Sequence, residues 1–498
     1  MKMQASKTSL SNSNNTHTTN NTNNTNTKNT TNPNQVLALV LACYVMIILD
    51  ISIVITGLPE IQAELEFSNA MLSWVQNAYT LTFGSLLLLG ARSGDLLGRQ
   101  RMLMIGLALF ALSSVLIAMA QSPLVLLGGR ALQGFGAAIL APSTLALLSS
   151  YFPEGPKRIK ALAWYAATAG IGASLGLVLG GLFAGLLSWR VGFWVNAPVG
   201  LLLMLATWKI LRDQSAQPPA GKKSLADYDI TGAITSTLGM SALVFGTVHS
   251  TQAGWTDATT LASLATAVLF LGWFLRIESR HPTPLLPMRL FKSRERVSAY
   301  LARMMFLGAM VGFLFFATQL LQRILGFSPV EAGIAFLPFT VLTFVASTQV
   351  PRLTRKLGNH NVALLALVIL GIGMAWLAMS DGRSDYWLAI GLPMLLIGLG
   401  NGAVLGPLTI AGVAGIREED SGAASGMVNV AHQLGGTLGL SILVVIVAAT
   451  EAGSSSALTD EAQLAHQLTV GFEGCLVFVI LAGVIMTTLN RKPVAQTV

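Results

Sequence analysis

From Val36 to Leu489 the chain runs as long apolar stretches divided by short polar turns. A helix needs about 20 mostly apolar residues to cross a bilayer. Fourteen stretches meet that length, near 36–57, 73–92, 101–121, 124–149, 161–187, 190–211, 230–250, 260–277, 298–320, 332–350, 362–380, 386–411, 421–449 and 469–489. Ahead of them, residues 1–34 form an Asn/Thr tract with almost nothing to bury, expected to be disordered. No apolar segment with a cleavage site follows its basic start, so it does not read as a signal peptide.

Composition supports the same picture. The chain is 53% hydrophobic and 10% charged, where a soluble domain carries about 25% charged residues. A soluble globular enzyme, a disordered chain and a collagen-like chain are excluded. Forty-nine glycines and eighteen prolines suit packed membrane helices, which tolerate both. Cys43 and Cys475 lie in apolar runs and form no disulfide framework. The net charge of +8 does not point to nucleic acid, because Lys and Arg cluster in turns between apolar runs. With the N-terminal tail in the cytoplasm, the outer loops hold only Arg190, Arg323 and Arg383. The outer loops at 58–72 and 450–468 carry acids and no basic residue. Cytoplasmic loops attract the basic residues, so a multi-pass protein of the plasma or bacterial inner membrane is expected, with both termini cytoplasmic.

A weak repeat divides the chain. ARSGDLLGRQR (91–101) follows the second span and PRLTRKLGNH (351–360) follows the tenth. Both are basic turns containing glycine. The expected organisation is a cytoplasmic tail over 1–34, a six-helix bundle over 35–211, a linker over 212–229, two inserted helices over 230–277, a second linker over 278–297, a second six-helix bundle over 298–490 and a tail over 491–498. Secondary transporters are built from such repeats, with the substrate site between the halves at mid-membrane.

The chemistry is sparse. No G-x-x-x-x-G-K-S/T occurs, so nothing suggests a nucleotide-driven pump. No paired Cys/His cluster suggests a metal, and no cofactor and no enzyme activity is expected. An ion gradient is then the energy source for uphill movement. Charged residues inside a bilayer are costly and mark function by default. Asp50, mid-span in LDISIVITGLP (49–59), is the clearest. Apolar surroundings disfavour a charged carboxylate, so it can take up and release a proton. Arg130, in GGRALQGFGAA (128–138), needs a partner, and Asp50 or a backbone carbonyl would serve. Gln133 lies at i+3 on the same face. Arg303, five residues into its span, is expected to snorkel to the cytosolic surface. His432 lies mid-span in VNVAHQLGG (428–436) with Asn429 and Gln433. Gly172, Gly176 and Gly180, with Gly181 beside the last, make a smooth stripe on the fifth span. Gly435, Gly436 and Gly439 do the same on the thirteenth. Two smooth helices suit halves that rock against each other, and static close packing would use the same residues.

Six segments in order resemble the fourteen-span drug:proton antiporter branch of the major facilitator superfamily, over about 36–489. LDISIVITGLP is similar to the branch's first-helix motif, ARSGDLLGRQR to the superfamily's loop between helices 2 and 3, and LGGRALQGFGAA to the fourth-helix motif. WRVGFWVNAPVG (189–200), LLQRILGFSPVEAGIAFLP (320–338) and SGAASGMVNVAHQLGG (421–436) resemble later signatures. The resemblance implies an all-α membrane protein of 14 transmembrane helices, two six-helix bundles plus two inserted helices. It implies that Asp50 is the proton or substrate-cation site and that Arg130 couples protonation to movement. Asp95, Gly98, Arg99 and Arg101 would belong to a latch between the halves, and Gly172, Gly176, Gly180 and Gly181 to the antiporter motif. Three departures stand out. Leu177 replaces the proline of the antiporter motif, the latch has Ala91 and Ser93 where Gly and Leu are usual, and Ile55 replaces the first-helix Asn.

The function these features imply is proton-coupled export of lipophilic drugs, dyes or biocides by alternating access. Segments 332–350 and 421–449 contain no acid, which favours monocationic or neutral compounds over dications. Gln133, Met310, Phe313, Gln319, Asn429, His432 and Gln433 are the expected pocket. Leu177 keeps open a transporter of one narrow substrate, or an importer. A non-transporting sensor or scaffold is the third possibility, disfavoured by the cost of Asp50 and Arg130. The expected partners are small drug-like molecules, protons and lipid, and the chain is expected to be a monomer.

Overall fold

The computed structural model describes residues 32–67, 69–153, 155–211, 229–282, 284–379, 386–417, 420–451 and 460–489. The tail over 1–34 and the linker over 212–229 lie almost wholly outside the described residues, as does most of the C-terminal tail. Sixteen α-helices are described and no strand: α1 (Pro33–Leu65), α2 (Asn69–Leu97), α3 (Arg99–Ala118), α4 (Pro123–Tyr151), α5 (Pro156–Leu186), α6 (Trp189–Trp194), α7 (Asn196–Ile210), α8 (Ile230–Ala253), α9 (Ala258–Glu278), α10 (Arg294–Gln319), α11 (Pro329–Ala335), α12 (Leu337–Leu357), α13 (Asn359–Ala378), α14 (Leu392–Gly412), α15 (Ser421–Glu451) and α16 (Asp460–Leu489). Twelve helical segments among the described residues are long and apolar enough to cross a bilayer. α2 and α5, of 29 and 31 residues, are long helices besides those twelve.

Local sequence sets the helix ends and breaks. Asn32 accepts from the Asn34 backbone N–H at 2.9 Å, with Pro33 in the first turn of α1. Ser328 and Glu331 form a reciprocal capping box at α11. The sixth and tenth expected spans are each divided in two, at Val195 and Phe336. Each break lies within the four residues before a proline, Pro198 or Pro338. Proline supplies no N–H to the carbonyl four residues back, and that carbonyl belongs to Trp194 or Ile334.

Helix packing repeats along the chain. α2 packs on α4 as α12 packs on α14, α3 on α4 as α13 on α14, α1 on α5 as α10 on α15, and α3 on α7 as α13 on α16. Between the two sets, α5 meets α12 and α14, and α15 meets α2 and α4. α8 lies along both α2 and α15, while α9 packs chiefly on α8. The two sets touch where Gly406 of α14 stands against Ala163 and Ala166 of α5, and where Gly426 of α15 stands against Ala91 of α2.

The glycine stripes do not face across this seam. A Cβ on Gly172 would meet Ile48, and one on Gly176 would meet Ser52 Cβ at 2.5 Å, both on α1. A Cβ on Gly435 would meet Met304 O at 2.5 Å, and one on Gly439 would press on Gly308, both on α10. The stripes therefore bring α5 onto α1 and α15 onto α10 within their own sets. Gly180 is buried, and around Gly181 there is open space.

The segment 278–297 is pinned rather than loose. Glu278 accepts from the Leu286 backbone N–H at 3.0 Å, and Arg289 grips Asp420 through two bonds of 2.6 and 2.7 Å. Leu285, Leu286 and Leu290 are buried beneath it. Their apolar side chains fasten a segment otherwise read as a polar connector.

Beyond the apolar part of α1, Glu64 straps α1 to α6. It accepts from Trp189 Nε1 at 2.7 Å and from Arg190 Nη2 at 2.7 Å. The Arg190 bond holds the Glu64 carboxyl below its ordinary range. A lowered carboxyl stabilises the fold above its ordinary range and loses that contribution as pH falls through the lowered one. Glu64 is 48% exposed, so the bond is worth less than about 1 kcal/mol. Glu64→Gln is expected to lower the melting temperature slightly at pH 7, and the gap to wild type should close as the pH is lowered below the carboxylate range.

Candidate functional site

One polar cluster lies wholly inside the first set of helices. Asp50 is 1% exposed and Arg130 is fully buried. Arg130 Nη1 donates to Asp50 Oδ2 at 2.8 Å. Asp50 Oδ1 accepts from Gln133 Nε2 at 2.8 Å and from Asn196 Nδ2 at 2.7 Å. Gln133 Oε1 accepts a second bond from Arg130 Nη1 at 2.6 Å, and its Nε2 also reaches Ser114 Oγ at 2.8 Å. Arg130 Nε donates to Val75 O at 3.0 Å, and the guanidinium lies 4.5 Å from the Tyr79 ring centroid. Arg130 Nη2 is buried without a partner.

Each member is placed by its helix. Arg130 and Gln133 are one turn apart on α4 and face α1. The break before α7 sets Asn196 at that helix's first turn, aimed at Asp50. Gly176 lets α5 lie against Leu49 and Ser52, the neighbours of Asp50 in the chain. Gly134 lets α4 lie against the Tyr79 carbonyl and the Thr82 hydroxyl of α2.

All three groups on Asp50 are donors, so the geometry matches the carboxylate and not the acid. A proton on Asp50 would remove the negative charge that Arg130 faces and turn one acceptor site into an O–H donor, weakening the bonds the carboxylate accepts. Asn196, Ser114 and the Tyr79 ring were not singled out in the sequence, although Asn196 lies inside WRVGFWVNAPVG. Its neighbour Pro198 is the signal that a break would expose it.

The remaining expected residues are scattered more widely. Gly98 has φ +98, which glycine alone adopts freely, and it starts α3. Arg99 Nη1 donates to Ala146 O of α4 at 3.3 Å, a bond within one set of helices. Arg101 is exposed. The side chains of Asp95 and Leu177 lie outside the described residues. Met310 and Phe313 are buried, Phe313 packed edge-on to Phe336 and tilted on Phe339. Phe313 thus packs on the break between α11 and α12 and on the first turn of α12. Gln319 is half-buried at the end of α10. Asn429 turns back to donate to Ser425 O at 2.9 Å. Gln433 is half-buried against Gly84 of α2.

Arg303 does not snorkel. It is 3% exposed and donates to Thr409 Oγ1 at 2.8 Å and to His432 Nδ1 at 3.1 Å. A guanidinium only donates, so His432 accepts through Nδ1. Among the described residues no group of His, Cys, Asp and Glu is arranged to hold a metal.

The chain was compared with known proteins on this footing. Residues 40–440 match the family model described as Major Facilitator Superfamily. The chain is 35% identical to the cephamycin export protein of Amycolatopsis lactamdurans, over 91% of this chain and 92% of that one. It is 35% identical to the puromycin resistance protein of Streptomyces alboniger, over 91% and 90%. Among solved structures it is similar in fold to a human organic anion transporter, with a TM-score of 0.63, 16% identity and coverage of 91% and 99%. A match over most of the chain, two relatives at this identity and a shared helical fold lead to one conclusion: this chain belongs to the major facilitator superfamily, a family of membrane transporters and not of enzymes.

Proposed function

We propose that the chain exports lipophilic antibiotics, dyes or biocides in exchange for protons, by alternating access, with Asp50 as the protonation site. The observation that carries this reading is the buried Asp50 in a shell of three donors, one of them Arg130. A static ion pair at this depth is expensive and weak evidence of stability, whereas a carboxylate whose protonation cancels the charge facing Arg130 is a switch. The two relatives above are named for export and for resistance, which supports the direction of transport.

The reading includes fourteen spans, with α2 and α5 crossing as well as the twelve apolar segments. Two six-helix bundles over 35–211 and 298–490 move against each other, and α8 and α9 are inserted between them. The repeated packing of the two helix sets supports this division. Both termini face the cytoplasm of a cell membrane, supported by outer loops that hold only three basic residues. The turn with Asp95, Gly98, Arg99 and Arg101 latches the cytoplasmic end. The protein works as a monomer. Protonation of Asp50 from outside frees Arg130 and favours release of the drug, and deprotonation inward restores the pair.

The test is drug susceptibility of cells expressing the full chain. Lower susceptibility to several lipophilic antibiotics and to ethidium, lost on adding an uncoupler, is expected. Unchanged susceptibility, or greater sensitivity, would count against export.

A further inference from the structure

Two arginines lie deep inside the helices, and they are held differently. Arg130 stands on Asp50. Arg303 stands on two neutral groups, Thr409 and His432, and its Nε is buried without a partner. Among the described residues no carboxylate reaches it. It is 3% exposed, so solvent does not neutralise it either. A guanidinium keeps its charge in proteins, and a buried charge without its opposite costs several kcal/mol.

The empty edge is informative. Arg190 takes Glu64 through Nε and Nη2, at 3.1 and 2.7 Å, and Arg289 takes Asp420 through the same two nitrogens. At Arg303 that edge carries only the imidazole, on Nη2. It is the edge a planar anion occupies side-on.

The two partners of Arg303 lie close to the seam between the two helix sets. Thr409 is one turn from Gly406, which stands against Ala163 and Ala166 of α5. His432 is next to Gln433, which stands over Gly84 of α2. A transporter of this build carries its substrate at such a seam.

We propose that Arg303 anchors an anionic group, a carboxylate or sulfonate, on an otherwise apolar substrate. The inference rests on the export reading and names its substrate class. It reverses the sign expected from the acid count, because the counter-charge missing from the protein is supplied by the cargo. The His432 bond is the one exchanged when the anion arrives.

The experiment is equilibrium binding to the purified full chain in detergent. The probes are fusidate, 2-naphthoate and indole-3-acetate, each beside its uncharged methyl ester, with ethidium as the cationic control. Wild type is expected to bind at least one acid about tenfold or more tighter than its ester, the size of one charge-assisted contact. Arg303→Gln should remove that preference and leave the ester's affinity in place, while Arg303→Lys should keep part of it. If no acid outbinds its ester, or if Arg303→Gln keeps the preference, the inference is overturned. If Arg303→Gln does not fold, Arg303→Lys decides, since an undiminished preference there would remove the side-on edge. Uncoupler-sensitive ethidium export without acid preference overturns the anion site and leaves the export reading standing. Absence of both export and acid binding removes both.

Discussion

Asp50→Asn is expected to abolish gradient-driven export while leaving a folded protein in the membrane. The amide keeps the shape of the carboxylate, and its oxygen still accepts from Gln133 or Asn196. It binds no proton in the physiological range, so the arrangement cannot alternate. Coupling energies between sites of this kind amount to about 1–3 kcal/mol, or roughly 5- to 150-fold. Loss of all coupling should therefore bring uphill export to the level of cells lacking the protein. The substitution also leaves Arg130, fully buried, without its counter-charge. Removing one member of a buried pair costs about 3–5 kcal/mol, so the melting temperature should fall. Adding Arg130→Gln should restore much of the stability and none of the export. That divergence separates a coupling role from a structural one, because a purely structural pair would regain both together. Inverted vesicles energised by respiration, with efflux and melting measured on the same preparation, give the comparison.

The second large effect is expected at Gly176. A Cβ there would come within 2.5 Å of Ser52 Cβ and 3.0 Å of Leu49 O. Side-chain atoms do not approach that closely, and a backbone carbonyl cannot turn away as a flexible side chain can. Gly176→Leu must push α5 from α1 at the residues flanking Asp50. Forcing extra atoms into a packed core costs about 1–3 kcal/mol, and here the strain falls on the positioning of the carboxylate as well. Export should drop at least about tenfold, and further than stability alone explains. Gly181→Ala is the control, because nothing lies within 4 Å of its Cβ position and export should be unchanged. Normal export by Gly176→Leu would mean that the α1–α5 contact does not position Asp50.

How much of this was legible beforehand depended on the kind of information each feature needs. The helices were readable because a bilayer demands long apolar segments, and the boundaries near Pro33, Pro123 and Pro156 are marked by proline in the first turn. Asp50 and a backbone carbonyl were the two partners expected for Arg130, because a buried guanidinium must be satisfied, and it takes both, Asp50 and Val75 O. Gln133 followed from its spacing on the same helix. The breaks at Val195 and Phe336 were missed although Pro198 and Pro338 were in view, because continuous apolar character hid the loss of a backbone donor. Asn196 was missed with the break that aims it. The glycine stripes were seen, and which helices they meet was not. Spacing defines which face of a helix is smooth and says nothing of which neighbour it meets. Arg303 was placed at the surface because a span's start counted from the apolar residues puts it five residues in. The helix begins earlier, at Arg294, and the guanidinium is held at depth by Thr409 and His432 from two other helices, a convergence that only the fold reveals.

The central claim is that drug and proton movements are exchanged through Asp50. Its most direct test is proton counterflow in proteoliposomes carrying the purified full chain and a trapped pH dye. An imposed drug gradient, with no pH gradient at the start, should drive protons against the drug's direction in wild type and not in Asp50→Asn. Drug movement by wild type without any accompanying proton flux, or an equal flux in the Asp50→Asn variant, would contradict the account.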